Sequence, residues 1–573
     1  MESKENLEEF APIFLKNKYQ AEEKKYLEPF FTNCDKSVYA PILLPPELIG
    51  ALCSRTSRVK GDLRPIFLKE YIAPFIEAER EPKDTEEVWK EKQKYGEGLR
   101  EFIDFLHKHP VSELFANPRA RSFYVKWLAE YGDDSIAQMA GSHLIFQGIS
   151  QVAIKHFEDQ RIGLAPIEKS TRYVNYSKKV GGKYLYYTDP TLKKLRLKTE
   201  YENAMDGLFD AYTDFIPKLS EYLTKKFPKE EKSVIEKKAF DTVRGLLPAS
   251  TLSQVAFFGN GQAFEYMISR SGKHSLGEIR WAANEALEEL YKVTPSFLRR
   301  LKDEDKKEAV DSYQEYLAGK GRRLAPAVEE VFKEKGTVSS DRQTKVRLLE
   351  HDLEGENKII AGILYSAPNN HRGWKELLRR IRKMTEEEKK NILDKYLEGR
   401  TVRWQKVGRA LENTYMRFET IVNIGAWRDL HRHRMLTQQR QNFSTHHGYD
   451  IPEEIKEAGL EEEYKGAIEP AQEVYEKIAR HDPDLAQYAV TLAHRLRFMQ
   501  WENLRQIFWK MELRTIPEGH PDYRSIEQQK FRLVEKAYPM IAERIMVNLG
   551  NYDFARRGQE ERIQKKLRKL ENS

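Results

Sequence analysis

Cysteine is nearly absent: Cys34 and Cys53 are the two thiols in 573 residues, so neither a disulfide framework nor a multi-thiolate zinc site can be built from this chain. No stretch approaches the roughly eighteen unbroken apolar residues of a membrane span. The N-terminal MESKENLEEFAPIF carries acids where a secretory leader needs a basic and then an apolar run. These absences point to a reducing cytoplasm. No single sign of charge dominates either: 97 Lys and Arg face 90 Asp and Glu, for a net charge of +7. Charge so dispersed argues against nucleic acid as a partner and suits small anionic ligands. What is there is ordinary for a globular chain, 40% hydrophobic and 33% charged, with a length that corresponds to roughly two to four domains.

Most of the chain reads as helix. Within 374–399, Thr385 and Glu388 form a capping box, apolar residues continue through Ile392, Leu393, Tyr396 and Leu397, and Gly399 stops the run. The stretch KLRLKTEYENAMDGLFDAYTDFI also has its apolar residues at helical spacing. Strand-like pieces occur at Tyr184 to Tyr187, Gln254 to Phe258 and Lys358 to Tyr365. Glycine, proline and Ser-Ser punctuate 318–345, which places a linker there. The expected division is an N-terminal extension (1–34), a first domain (35–317), that linker, a second domain (346–550) and a basic tail (551–573).

The two halves look related. Ser150 to Val174 occupies the same relative place as Asn423 to Thr445, and setting Arg161 against Arg434 gives an offset of 273. Further on, Phe264/Phe508, Met267/Met511, Arg270/Arg514 and Arg280/Arg524 recur in order at an offset of 244. A tandem duplication is the economical reading. The second half also carries Arg432-His433-Arg434 followed by an amide-rich run ending at Gly448. On a helix Arg432 and Arg434 would lie about 200° apart, so they can grip one ligand only where a helix ends in a loop. Arginine's planar fork suits phosphate oxygens. His431, His433, His446 and His447 form no His-x-x-x-His pair and have no carboxylate at the Glu-x-x-His spacing, so no metal centre is expected.

Taken as an ordered set, these residues resemble the flavin-dependent thymidylate synthases, the ThyX family. That family carries Arg-His-Arg, then two residues and a Ser, then a Ser-x-Arg-Tyr ending. Arg432-His433-Arg434 matches the opening, and Ser170-Thr171-Arg172-Tyr173 the ending. RGLLP (Arg244 to Pro248), GNGQ (Gly259 to Gln262) and EIR (Glu278 to Arg280) have counterparts in the same order. The resemblance covers about 35–300 and, more loosely, 345–550. Each copy departs from the pattern where the other keeps it. The first opens Asp159-Gln160-Arg161, whereas the second has Thr437 for the first Ser and ends Asn442-Phe443-Ser444-Thr445.

The resemblance implies an α+β protein of two tandem domains, each a small, mainly antiparallel sheet flanked by helices. It implies reductive methylation of dUMP to dTMP with FAD, NADPH and methylenetetrahydrofolate. Ser170, Arg172 and Arg280 would be catalytic, and Ser170, Arg172, Arg270 and Arg280, with Arg514 and Arg524 in the second copy, would hold the nucleotide. Arg432, His433, Arg434, Arg161, Glu168 and Asn260 would meet the flavin. Two fused copies would stand in for the family's tetramer as a homodimer. The alternatives are a flavin- or nucleotide-binding homologue without methyl transfer, or another reductive alkylation of a pyrimidine nucleotide. A catalytic thiol is not needed in such a scheme, and Cys53, in LIGALCSRT, reads as buried packing in an amphipathic helix.

Overall fold

The computed structural model describes residues 5–82, 84–109, 136–332, 342–554, 565, 566 and 568. The chain divides into two units. Unit one takes 1–213, 247–337 and 469–489; unit two takes 214–246, 338–468 and 490–573. Each contains one four-stranded antiparallel sheet, and the two sheets have the same topology. In unit one β1 (Val38–Tyr39), β2 (Gly141–Ser150), β3 (Leu164–Glu168) and β4 (Leu252–Asn260) lie in the order β1-β2-β4-β3. In unit two β5 (Lys345–His351), β6 (Tyr415–Asn423), β7 (Leu436–Arg440) and β8 (Arg495–Asn503) lie in the order β5-β6-β8-β7.

The second and fourth strands of each half run straight into helices, and all four junctions use one device. Helices α1 (Gln151–Glu158), α2 (Gly261–Ser271), α4 (Ile424–Leu430) and α5 (Leu504–Arg514) are capped by the side chains of Ser150, Asn260, Asn423 and Asn503. Each accepts a backbone N–H of the first turn, at 3.0, 2.8, 2.8 and 2.8 Å. That satisfies an otherwise orphaned donor where the backbone leaves the sheet. Two longer helices, α3 (Gly277–Val293) and α6 (Pro521–Ala537), follow α2 and α5.

The caps correct the internal alignment. Asn260 pairs with Asn503, so β4–α2 matches β8–α5 at an offset of 243, while α3 and α6 keep 244. Phe264 therefore matches Ile507 and Met267 matches Lys510, one residue short of the sequence pairing. The adjacent apolar pair Ile507-Phe508 lets either residue mimic the partner, and a one-residue insertion before α6 hides the slip.

Three further segments differ from their sequence reading. Lys358 to Tyr365 is helix, within Gly355–Tyr365, with Ile359, Ile360, Ala361 and Ile363 buried. A short apolar run cannot separate a buried helix from a buried strand by periodicity. The helix of 374–399 is two, Trp374–Ile381 and Glu386–Tyr396, because the Thr385–Glu388 capping box starts the second one. The stretch 318–345 begins as helix, since Lys307–Val331 runs through it with Pro326 inside. The expected strand at Gln254 to Phe258 lies within β4, while Lys183–Tyr184 forms a two-residue ribbon with Lys179–Val180.

Unit one's core gathers Leu27, Phe30, Phe31, Tyr39, Leu52, Leu63, Phe67 and Ile145. The segment 1–34 thus supplies core residues. Unit two's core gathers Ile360, Leu393, Phe418, Leu504, Ile507, Met511 and Ile541. Each such side chain contributes about 1.5–3 kcal/mol on burial. Cys34 and Cys53 are both buried, Cys53 on helix Pro46–Thr56, and burial pushes their thiols up to about 11 and about 12. Among the described residues no helix is long and apolar enough to cross a membrane.

Candidate functional site

In unit two α4 ends at Leu430, the His431 N–H closes the last turn on the Trp427 carbonyl at 2.7 Å, and the chain leaves as a loop. Arg432-His433-Arg434 therefore lies in a loop between α4 and β7. Backbone alternation follows: Arg432 and Arg434 are exposed and His433 is buried. Helix α5 holds the imidazole from its two ends. Arg514 Nε donates to His433 Nε2 at 2.9 Å, and the Gln506 amide lies 3.1 Å from Nδ1. A nitrogen that accepts from a guanidinium carries no hydrogen, so a neutral ring holds its proton on Nδ1, where the Gln506 amide, placed with Nε2 toward the ring, accepts it once its oxygen is turned there. Asp429, in the last turn of α4, lies 3.8 Å from both Arg432 and Arg514. The loop thus presents two guanidinia to solvent around an imidazole whose tautomer is set by the fold.

Other arginines gather in the same unit. Arg440 closes β7, with its guanidinium 5.4 Å from the Trp427 ring centroid and 4.9 Å from that of Phe443. Arg244, from the RGLLP stretch, is buried, with Nε 3.5 Å from Asp241. It comes so close to the start of α4 that a Cβ on Gly425 would meet Asn423 Oδ1 at 3.3 Å and Arg244 Nε at 3.4 Å. Sequence reasoning assigned Arg244 no role. The signal was a lone arginine ahead of an apolar Gly-Leu-Leu-Pro run, since a buried guanidinium needs a reason.

In unit one the matching loop is Asp159-Gln160-Arg161. Gln160, at the His433 position, donates to the Ala263 carbonyl at 2.7 Å, and Arg161 has a left-handed φ of 60°. Glu168 ends β3 and is paired with Lys155, which also bonds Glu158 at 2.6 Å; all three are buried. Strand register puts Arg440 of β7 where β3 has Glu168. After β3, Ser170 N–H donates to the Ser57 carbonyl at 2.9 Å, and Ser170 Oγ accepts the Arg172 N–H at 3.1 Å. Arg172 is buried, with its guanidinium 5.4 Å from the Tyr173 ring centroid. Asn260, expected at the flavin, caps α2, and Arg270 donates to the His156 carbonyl.

The second arginine of each sequence pair has a shared placement. Arg280 donates to the His274 and Ser275 carbonyls at 2.6 and 2.9 Å and to Glu5 at 3.1 Å. Arg524 donates to the Thr515 and Gly550 carbonyls at 3.1 and 2.6 Å. Each ties down the connection ahead of its own helix, a structural task that the expectation of phosphate-gripping residues did not include. The structure thus brings His433, Arg432 and Arg514 together in unit two. It places Ser170, Arg172, Glu168, Arg161, Asn260, Arg270 and Arg280 in unit one.

Two copies of one α+β scaffold, each with a loop of this kind after its first strand–helix junction, define the class. The chain belongs to the family described as thymidylate synthase complementing protein, whose model matches twice, over residues 83–296 and 347–540. It is 35% identical over 555 residues to a UPF0159 protein of Chlamydia pneumoniae, a match covering 95% of this chain and 98% of that one. A UPF0159 protein of Thermoplasma acidophilum is 31% identical over 474 residues, 76% of this chain and 91% of that one. Among solved structures, a UMP/dUMP methylase of Streptomyces cacaoi bound with 5-Br dUMP aligns at a TM-score of 0.27 and 15% identity, over 35% of this chain and 94% of that one.

Proposed function

We propose that the protein reductively methylates a pyrimidine nucleotide, dUMP to dTMP, with FAD, NADPH and methylenetetrahydrofolate. The observation that carries this reading is the loop of unit two: exposed Arg432 and Arg434 flank His433, which Arg514 and Gln506 hold from α5. The donor set fits a flavin dinucleotide, because guanidinium groups only donate and a pyrophosphate only accepts. When bound, the flavin supplies the hydride that completes the methyl group. Arg432 and Arg434 hold phosphate oxygens, and His433, kept in one tautomer, orients what lies against the loop. Arg172 and Ser170 hold the nucleotide, with Arg172 polarising the base in place of a nucleophilic thiol. In that role the buried, high-pKa Cys34 and Cys53 take no part.

A second reading, a flavin- and nucleotide-binding protein without methyl transfer, is favoured by one observation. The unit that keeps His433 has Ser444 at the Arg172 position, and the unit that keeps Arg172 has Gln160 at the His433 position. One experiment separates the two. Purified protein loaded with FAD is expected to retain a flavin spectrum and, given dUMP, NADPH and methylenetetrahydrofolate, to form dTMP. Retained flavin without dTMP selects the second reading, and no retained flavin sinks both. Arg432→Ala and Arg172→Ala are each expected to lower dTMP formation at least tenfold, about 1.4 kcal/mol of transition-state stabilisation.

A further inference from the structure

Unit one contains a cavity of about 110 Å³, and none of the residues expected to meet flavin or nucleotide lines it. Its walls are largely apolar, Phe14 of the N-terminal segment and Leu252 of β4 among them. Two polar residues of the lining are joined by a backbone hydrogen bond. Lys169 N–H donates to the Gln254 carbonyl at 2.8 Å, and both side chains line the cavity. Gln254 is 4% exposed and its Oε1 has no hydrogen-bond donor among the described residues. Lys169 Nζ donates to the Gly61 carbonyl at 2.6 Å and has no carboxylate partner among the described residues. Burial pulls its ammonium down to about 8, with the Asp62 charge opposing. Exposed Lys60 and Lys178 stand at the rim.

Apolar walls with a few convergent polar groups are the usual make-up of a small-molecule site. The volume is of the order that admits one six-membered ring. A half-buried ammonium with no carboxylate within ion-pair distance and a buried carbonyl oxygen with no donor are both costly, and one ligand can satisfy both. We infer that this cavity binds a small aromatic carboxylate bearing a ring hydroxyl or amino group. Its acid meets Lys169, its ring lies against Phe14 and Leu252, and its donor meets the Gln254 amide. The rim lysines draw the anion in.

The test is calorimetric titration of the full-length protein with 3- and 4-hydroxybenzoate, benzoate and phenol. One hydroxybenzoate is expected to bind with one-to-one stoichiometry, at least tenfold tighter than phenol and several-fold tighter than benzoate. Lys169→Met, which keeps the aliphatic stem, and Gln254→Leu are each expected to weaken it at least tenfold with the circular dichroism spectrum unchanged. Should either buried variant unfold, the exposed double variant Lys60→Gln/Lys178→Gln reads the same electrostatics through a several-fold loss. Absence of binding by every probe, phenol binding as tightly as the acids, or full affinity in both Lys169→Met and the rim variant would overturn the assignment. Arg432→Ala is expected to leave this binding unchanged, which keeps it separable from the proposed methylase activity.

Discussion

His433 shows how much of a site one side chain can carry and how little of its setting its neighbours in sequence reveal. Arg432-His433-Arg434 was visible as a motif, and the need for a helix end followed from the 200° argument. The partners were not visible, because Gln506 and Arg514 lie 73 and 81 residues away. Arginine presents Nε–H in the plane of its fork and lysine cannot reproduce that direction. Arg514→Lys is therefore expected to release the ring while keeping the charge beside Asp429, and to weaken flavin retention about tenfold, measured by flavin absorbance after gel filtration. Glu278, at the start of α3, makes a different prediction. It accepts from Ser150 N–H and Oγ–H at 2.7 and 2.6 Å and from Tyr488 Oη–H at 2.8 Å. Burial nonetheless outweighs these bonds and raises its carboxyl to about 7. The folded state thus holds the proton more tightly than the unfolded chain. The stability that follows is fully present below about 4.5 and is lost as pH rises to about 7. Melting curves of wild type and Glu278→Gln between pH 5 and pH 8 are expected to diverge in the variant's favour as pH rises, by on the order of 3 kcal/mol.

At the scale of elements, the strand–cap–helix junctions went unread, and of their four strands only Gln254 to Phe258 was expected. Ser150, Asn260, Asn423 and Asn503 are residues whose side chains can take a helix's first N–H, and the sheet patterns precede them directly. What the patterns hid was a difference in the layer between sheet and helices. Unit two buries Lys510, Lys530, Glu502 and Glu527 together, all without solvent access. Lys510 bonds Glu502, the Glu527 carboxylate lies 3.4 Å from Lys510 and 3.3 Å from Lys530, and Lys530 bonds Gln500 at 2.6 Å. The aligned positions in unit one are Met267, Ala286, Gly259, Ala283 and, for Gln500, Phe257. The layer that is apolar in one copy is thus ionic in the other. Charge in a helix usually forms a solvated face, and here the fold turns it inward. Removing one member leaves a buried charge unmatched, which costs about 3–5 kcal/mol. Lys510→Met is expected to lower the urea midpoint accordingly, whereas Lys465→Met, in a surface i,i+3 pair with Glu462, is expected to leave the midpoint unchanged.

The whole molecule adds what neither scale contains. Duplication was legible, since repeated order survives in sequence, but the composition of the units was not. Unit two includes 214–246 from the first half, and unit one includes 469–489 from the second. Within unit two, Phe227 meets Phe554 at 4.7 Å between ring centroids, and the Ala493 N–H donates to the Gly245 carbonyl at 2.9 Å. Within unit one, the Ser250 N–H donates to the Tyr488 carbonyl at 3.2 Å. Sequence order says which strand follows which helix, and nothing about which copy's sheet a helix will join. Residues 338–573 expressed alone lack Arg244 and the surface that Phe215 and Phe227 provide. They are expected to give a proteolytically labile product, and co-expression with 1–337 is expected to restore resistance, read by limited trypsin digestion.

That reciprocal lending has a hereditary consequence. Most duplicated genes can be parted again, each daughter free to drift, be lost or be copied elsewhere. Here a cut between the two halves leaves each product without a segment of its own unit that the other product holds. Neither half can therefore be inherited without the other, whether on one reading frame or two, and each can lose a residue that the other keeps.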